Sequence, residues 1–141
     1  MWCKFTQKER EMLVSRETDY AIRIVRNLNH TDVKSIEEVA SKELVTLPMA
    51  HKVCRRLKKK GIIQSKRGID GGYSLVKPLE DISLFDVYAA MNDVVEINQC
   101  LADPESCVFA VNGVCKVHNE LNRIQNVVIE ELKCKPMSEL I

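Results

Sequence analysis

Residues 47–61 read LPMAHKVCRRLKKKG and run straight into IIQSKRGIDGGYSLVK at 62–77. No other stretch restricts the fold so tightly. A proline suits an α-helix only in its first turn, where its missing N–H is not needed, and glycine is a natural stop. Pro48 and Gly61 therefore bracket a helix from about Leu47 to Lys60. Leu47, Ala50, Cys54 and Leu57 share one face of it, and His51, Lys52, Arg55, Arg56 and Lys59 lie on the others. Cys54 then reads as a small buried hydrophobe rather than a site. Beyond Gly61, two strand-like runs, Ile62–Lys66 and Tyr73–Val76, are joined through Gly68, Gly71 and Gly72, which predicts a β-hairpin.

Upstream, SIEEVASKE predicts a short helix opened by Ser35, with Glu38 at capping-box spacing and Ile36, Val39 and Ala40 facing inward. Only Leu44–Thr46 separate it from the basic helix. Two short helices meeting through a tight turn, the second cationic on its open side, make a helix-turn-helix, and the hairpin behind it makes a wing. The expected fold class is mainly α with one small β-hairpin. A longer helix precedes this unit: SRETDYAIRIVRNLNH places Tyr20, Ala21, Ile24, Val25 and Leu28 on one stripe, with Ser15 or Thr18 as its cap.

Charge supports a nucleic-acid partner even though the net charge is only +1. Eight of the 21 Lys and Arg (Lys52, Arg55, Arg56, Lys58, Lys59, Lys60, Lys66 and Arg67) lie between His51 and Arg67 with no acid among them. That leaves 13 basic residues against 20 acidic ones elsewhere, so one cationic footprint stands on an acidic background. Taken alone, such a run is usually a solvated face; the helix pair and the wing around it decide otherwise. Lys66 and Arg67 sit at the wing tip, where they can meet a minor groove or phosphates.

A chain of 141 residues supports one core. No apolar run reaches the roughly 18 residues of a membrane span, and MWCKFTQKERE lacks the apolar core of a secretory signal. The expected location is the cytoplasm, where six cysteines suggest metal or redox chemistry rather than a disulfide framework. ISLFDVYAAMNDVVEI predicts a further helix with Ser83 as cap and Asp86 three residues on, and Lys116–Lys133 a long last one. On that helix Val117, Leu121, Ile124, Val128 and Leu132 form one stripe, widened by Val127 and Ile129. So broad an apolar face suits a partner subunit, with packing inside the monomer as the alternative. No nucleotide loop or nucleophile motif indicates catalysis, so the chain is not expected to be an enzyme.

Taken together, YAIRIV, the wing RGIDGGYSL, LEDISLFDVYAAM and three spaced cysteines resemble the winged-helix bacterial regulators of the IscR and NsrR type, the Rrf-two superfamily. The likeness runs from about Met12 to the C-terminus. It implies a homodimer on a double-stranded, pseudo-palindromic DNA operator, acting as a repressor. It also implies a division into an extension at 1–11, a winged helix-turn-helix at 12–80, and a cluster loop with dimerisation helices at 81–141. By position, Thr46, Pro48, Met49, His51 and Lys52 fall where such proteins touch base edges, and Arg67 matches the wing arginine. Ser35, Arg55 and Lys66 complete the expected DNA-binding set. His51-Lys52 stands where the cluster-assembly regulator has Glu-Gln, so the operator cannot be borrowed.

Cys100, Cys107 and Cys115 are separated by six and then seven residues. Structural zinc sites show a tighter pair; the nearest here is Cys115 with His118, which leaves zinc on Cys₃His open. Longer gaps suit a loop wrapping an iron–sulfur cluster, [2Fe–2S] or [4Fe–4S]. Three thiolates leave one position to another ligand. The resemblance offers His118, which matches the cluster-assembly regulator, and Asp19, which matches an aspartate the nitric-oxide sensor donates from the other subunit. The cysteine spacing fits neither subtype closely. The expected function is a regulator sensing nitric oxide, redox or iron status. The alternatives are a cluster-free regulator switched by thiol–disulfide exchange and a small Fe–S redox protein. Cys3 and Cys134 read as incidental.

Overall fold

The computed structural model describes residues 13–92, 94–103, 105, 107 and 115–141. The extension at 1–11, with Cys3, lies outside the described residues. Helix α1 spans Arg16–Asn27; Ser15 caps it, its hydroxyl accepting from the Thr18 N–H at 3.2 Å. Helices α2 (Ile36–Lys42) and α3 (Leu47–Lys59) form the helix-turn-helix, and strands β1 (Ile63–Lys66) and β2 (Gly72–Leu75) form the wing. Then come α4 (Leu84–Asn92), a short α5 (Gln99–Ala102) and a 19-residue α6 (Lys116–Cys134).

The wing is one antiparallel pair in the register Ile63–Leu75, Gln64–Ser74, Ser65–Tyr73 and Lys66–Gly72. Its base is fastened to the chain entering α2. Lys34 and Tyr73 exchange backbone hydrogen bonds at 2.8 and 2.9 Å, and the Leu75 N–H donates to the Asn29 carbonyl at 2.8 Å. This approach explains the paired glycines. A Cβ on Gly72, whose φ is +153°, would stand 2.1 Å from the Lys34 carbonyl oxygen, and one on Gly71 2.6 Å from that of Lys66.

The core is built from α1, α2, α3, the wing and α4. Ala21, Ile24 and Val25 meet Val39, Val53, Cys54, Leu57, Leu75, Val87 and Met91, all essentially solvent-free. Each large side chain among them contributes roughly 1.5–3 kcal/mol of transfer free energy. The expected inward residues Ile36, Val39 and Ala40 are buried, and so is Cys54. Leu47 is not: it is 39% exposed, and Val53 takes the inward place expected for it. Position 47 opens the helix and points past the edge of the core.

Two local expectations also change. Ser35 stands at the α2 cap, but its hydroxyl donates to Glu37 at 2.5 Å, so no capping box forms with Glu38. Helix α4 ends at Asn92 instead of continuing toward Ile97. The Asn92 amide turns back to the Tyr88 carbonyl (3.3 Å) and to Thr18 Oγ1 (2.7 Å), which competes with another helical turn. At its other end Asp86 accepts from Ser83 N–H and hydroxyl at 2.8 Å each, as the spacing predicts. After α6, a 3₁₀ turn at Met137–Leu140 returns to the core: Met137 is buried and donates its N–H to the Ile82 carbonyl at 2.7 Å.

Candidate nucleic-acid interface and cysteine segment

Helix α3 turns one face inward through Ala50, Val53, Cys54 and Leu57. Its other sides carry Thr46, Pro48, Lys52 and Arg55 exposed, with Met49 and His51 half-buried. Lys66 and Arg67 are exposed at the wing, and Lys58 Nζ donates to Ser65 Oγ at 2.6 Å, tying the end of α3 to β1. Ser35 lies where the wing base meets α2, beside the Lys34–Tyr73 bridge. The expected DNA-binding residues therefore occur on the open side of α3, on the hairpin attached to it and, for Ser35, at the start of α2.

Lys52 and Arg56 differ from the rest of the basic run, because both are held by Glu17 of α1. Lys52 Nζ lies 2.5 Å from Glu17 Oε1 and Arg56 Nη1 2.9 Å from Oε2. The Lys52 hydrogen bond is the main reason the Glu17 carboxyl sits below the usual carboxylate range; Arg56 and both positive charges add to it against the opposing effect of burial. Charge counting could not find this pairing, since Glu17 lies 35 residues from Lys52.

The turn between α2 and α3 is held by a second group. Glu43, buried, accepts from Arg26 Nη2 at 2.5 Å and Nε at 3.2 Å and from the Asn27 amide. Burial alone would push its carboxyl up, but the hydrogen bonds from Arg26 and Asn27, with the Arg26 and Arg23 charges, outweigh that and leave it lowered. Beside it Leu44 adopts φ +55° and is 88% exposed, an unfavourable pairing of residue and backbone.

Cys100 lies in α5 and Cys115 at the N-cap of α6, where its sulfur accepts from the His118 N–H at 3.4 Å. Cys107 falls between them; Pro104, Ser106 and residues 108–114 lie outside the described residues. All three thiols are free and half-buried. Helix α5 packs on α6, and Ile97 N–H donates to Gln125 Oε1 at 3.1 Å, so both flanks of the segment rest on α6. Among the described residues no three His, Cys, Asp or Glu side chains gather closely enough to hold a metal ion. Asp19 is paired with Arg23 at 2.9 Å on α1, and His118 is half-buried on α6. Cys54 stands apart: burial pushes its thiol up to about 12, which leaves it unreactive.

None of the α6 side chains is buried, and along its apolar stripe Val117 is 67% exposed and Val127 49%. No described helix is long and apolar enough to cross a membrane.

Comparison with known proteins places these features together. The model of the family described as "Rrf2: Iron-dependent Transcriptional regulator" matches residues 14–141. The chain is 24% identical over 135 residues to the transcriptional regulator NsrR of Shouchella clausii, covering 92% of this chain and 89% of that one. Among solved structures, T. potens IscR superposes with a TM-score of 0.71 at 16% identity, over 92% of this chain and 86% of that one. The oxidised form of Staphylococcus aureus CymR gives 0.67 at 21%, over 92% and 95%. At these identities the superpositions establish the winged-helix fold.

Proposed function

The chain belongs to the Rrf2 family of transcriptional regulators, and we propose that it is a homodimeric, cytoplasmic repressor whose operator affinity follows an iron–sulfur cluster on Cys100, Cys107 and Cys115. The observation that carries the DNA-binding part is α3, sealed on one face and cationic on the other beside an exposed Lys66-Arg67 wing. In this reading Thr46, Pro48, Met49, His51 and Lys52 meet base edges. Ser35, Arg55, Lys66 and Arg67 meet phosphates or the minor groove. Residues 12–80 form the DNA-reading region and 81–141 the sensing and dimerising region, with the open stripe of α6 covered by the second subunit.

The donor set fits a cluster in its chemistry. Three free, half-buried thiols flank and lie within one segment, and such a group contributes its binding energy to ordering its own loop. A fourth ligand comes from His118 or from Asp19 of the other subunit. When bound, the cluster would supply a centre reactive to nitric oxide, oxygen or iron depletion. The chain's own contribution is to hold the flanks of the segment on α6 through α5 and through the Gln125 bond to Ile97.

A second reading, a thiol–disulfide switch on the same cysteines, is favoured by their accessibility and by the likeness to a regulator solved in an oxidised form. Anaerobic purification separates the two. A brown protein containing iron and acid-labile sulfide, lost in the Cys100, Cys107 and Cys115 to Ser variant, supports the cluster; a colourless protein with oxidisable thiols supports the switch. Gel shifts test the DNA part. Arg67→Ala is expected to weaken binding to all sequences and His51→Ala to change which bases are preferred. Unchanged affinity in Arg67→Ala would refute the wing assignment.

A further inference from the structure

We propose that Arg56 and Glu17 form a relay between the cysteine-bearing segment and the recognition helix, which makes Arg56 a positioning residue rather than a DNA contact. The inference rests on the sensing function proposed above. Although Arg56 belongs to the basic run, it is half-buried and uses both ends of its guanidinium inside the molecule. Nη1 meets Glu17 at 2.9 Å, and Nη2 donates to the Met91 carbonyl in the last turn of α4. The other Glu17 oxygen holds Lys52, one turn before Arg56 on α3. The next residue of each chain segment closes the set, because Asn92 donates to Thr18 Oγ1 at 2.7 Å.

Three helices are thus fastened at one point: the start of α1, the second half of α3 and the end of α4. Each end leads to a proposed ligand. Asp19 follows Glu17 by two residues, and Cys100 follows Asn92 by eight. The last carbonyls of a helix lack intrahelical donors, so a guanidinium is a suitable clasp for them. Arginine alone offers a planar fork that can hold a carboxylate and a carbonyl together; a lysine ammonium is a single point charge. Movement of the α4 end therefore shifts Arg56, and with it the hold of Glu17 on Lys52. Lys52 is freed toward DNA in one state and retained in the other.

The test uses the full chain and a duplex selected by it from random sequences. Affinity is measured on anaerobic protein and again after ferricyanide with EDTA, which strips a cluster and oxidises neighbouring thiols. The unmodified protein is expected to show a ratio of about tenfold between the two states. Arg56→Lys, and independently Glu17→Gln, are expected to reduce that ratio to below about threefold, with Glu17→Gln raising the treated-state affinity toward the anaerobic one because Lys52 is no longer retained. A wild-type ratio retained in both variants overturns the relay alone. A loss shared equally by both states makes Arg56 a plain DNA contact and also overturns it. No ratio in the unmodified protein overturns the sensing function together with the relay.

Discussion

Helices α3 and α6 are both amphipathic, yet they dispose of their apolar faces in different ways. The stripe of α3, Ala50, Val53, Cys54 and Leu57, is sealed against α1, α2, α4 and the wing. The stripe of α6 holds residues of similar character and buries none of them fully. One helix is therefore positioned by its own chain. The other has a surface whose burial needs a further body, which we assign to a second subunit. The cysteine segment follows the closed unit along the chain, and both of its flanks rest on the open helix. A sensor suits such a boundary, since rearrangement is least costly where packing is least complete.

Substitutions can break or sharpen this contrast. Leu57→Ala should have the largest effect, a loss of about 2–5 kcal/mol in thermal or denaturant unfolding, because the surrounding core cannot collapse into the space. An equally large loss from Leu132→Ala in the isolated monomer would show that α6 is no more open than α3. Glu43→Ala should cost about 1–3 kcal/mol by leaving Asn27 and Arg26 short of an acceptor.

The same residue carries a pH dependence with a definite sign. A carboxyl held below its usual range lends stability that is present above the unfolded-state value and is lost as pH falls through the folded one. The wild-type protein should therefore lose more stability than Glu43→Gln on acidification below about pH 4. Parallel pH–stability curves would remove Glu43 from the account.

Leu44→Gly should raise stability by about 1 kcal/mol, since glycine adopts φ +55° without the Cβ penalty and Leu44 buries little. A decrease would mean that the Leu44 side chain matters to folding in a way its exposure does not suggest. The smallest change in monomer stability is expected from Ile124→Glu on the open stripe. Its effect should appear in sedimentation, as dissociation of the dimer at concentrations where the unmodified chain remains associated. An undisturbed dimer would place the subunit contact elsewhere.

Much of the α3 environment was legible in the residues because its determinants are local. Pro48 can stand only in a first turn, Gly61 accommodates φ +73°, and Ser83 with Asp86 closes a helix start at a spacing of three. The open basic face of α3 followed from the same locality, since side chains opposite a buried stripe must point outward. Leu47 was misjudged because helical periodicity does not say where a core ends. Helix α5 has too few residues for any period, and Met137 completes the core only because the chain returns beside Ile82. Glu17, Arg56, Asn92 and Thr18 signal nothing by their spacing, yet their hydrogen bonds join α1, α3 and α4.

By itself, then, the sequence determined the types and order of the main elements, the cationic face and the three cysteines, since propensity, capping and periodicity act over a few residues. Only the tertiary structure decided which charges of the basic run remain available and which are held by Glu17. It also decided that α4 stops at Asn92 and that α6 keeps an open face. Those outcomes depend on groups brought together from distant parts of the chain, where position in space rather than along the sequence sets the energy.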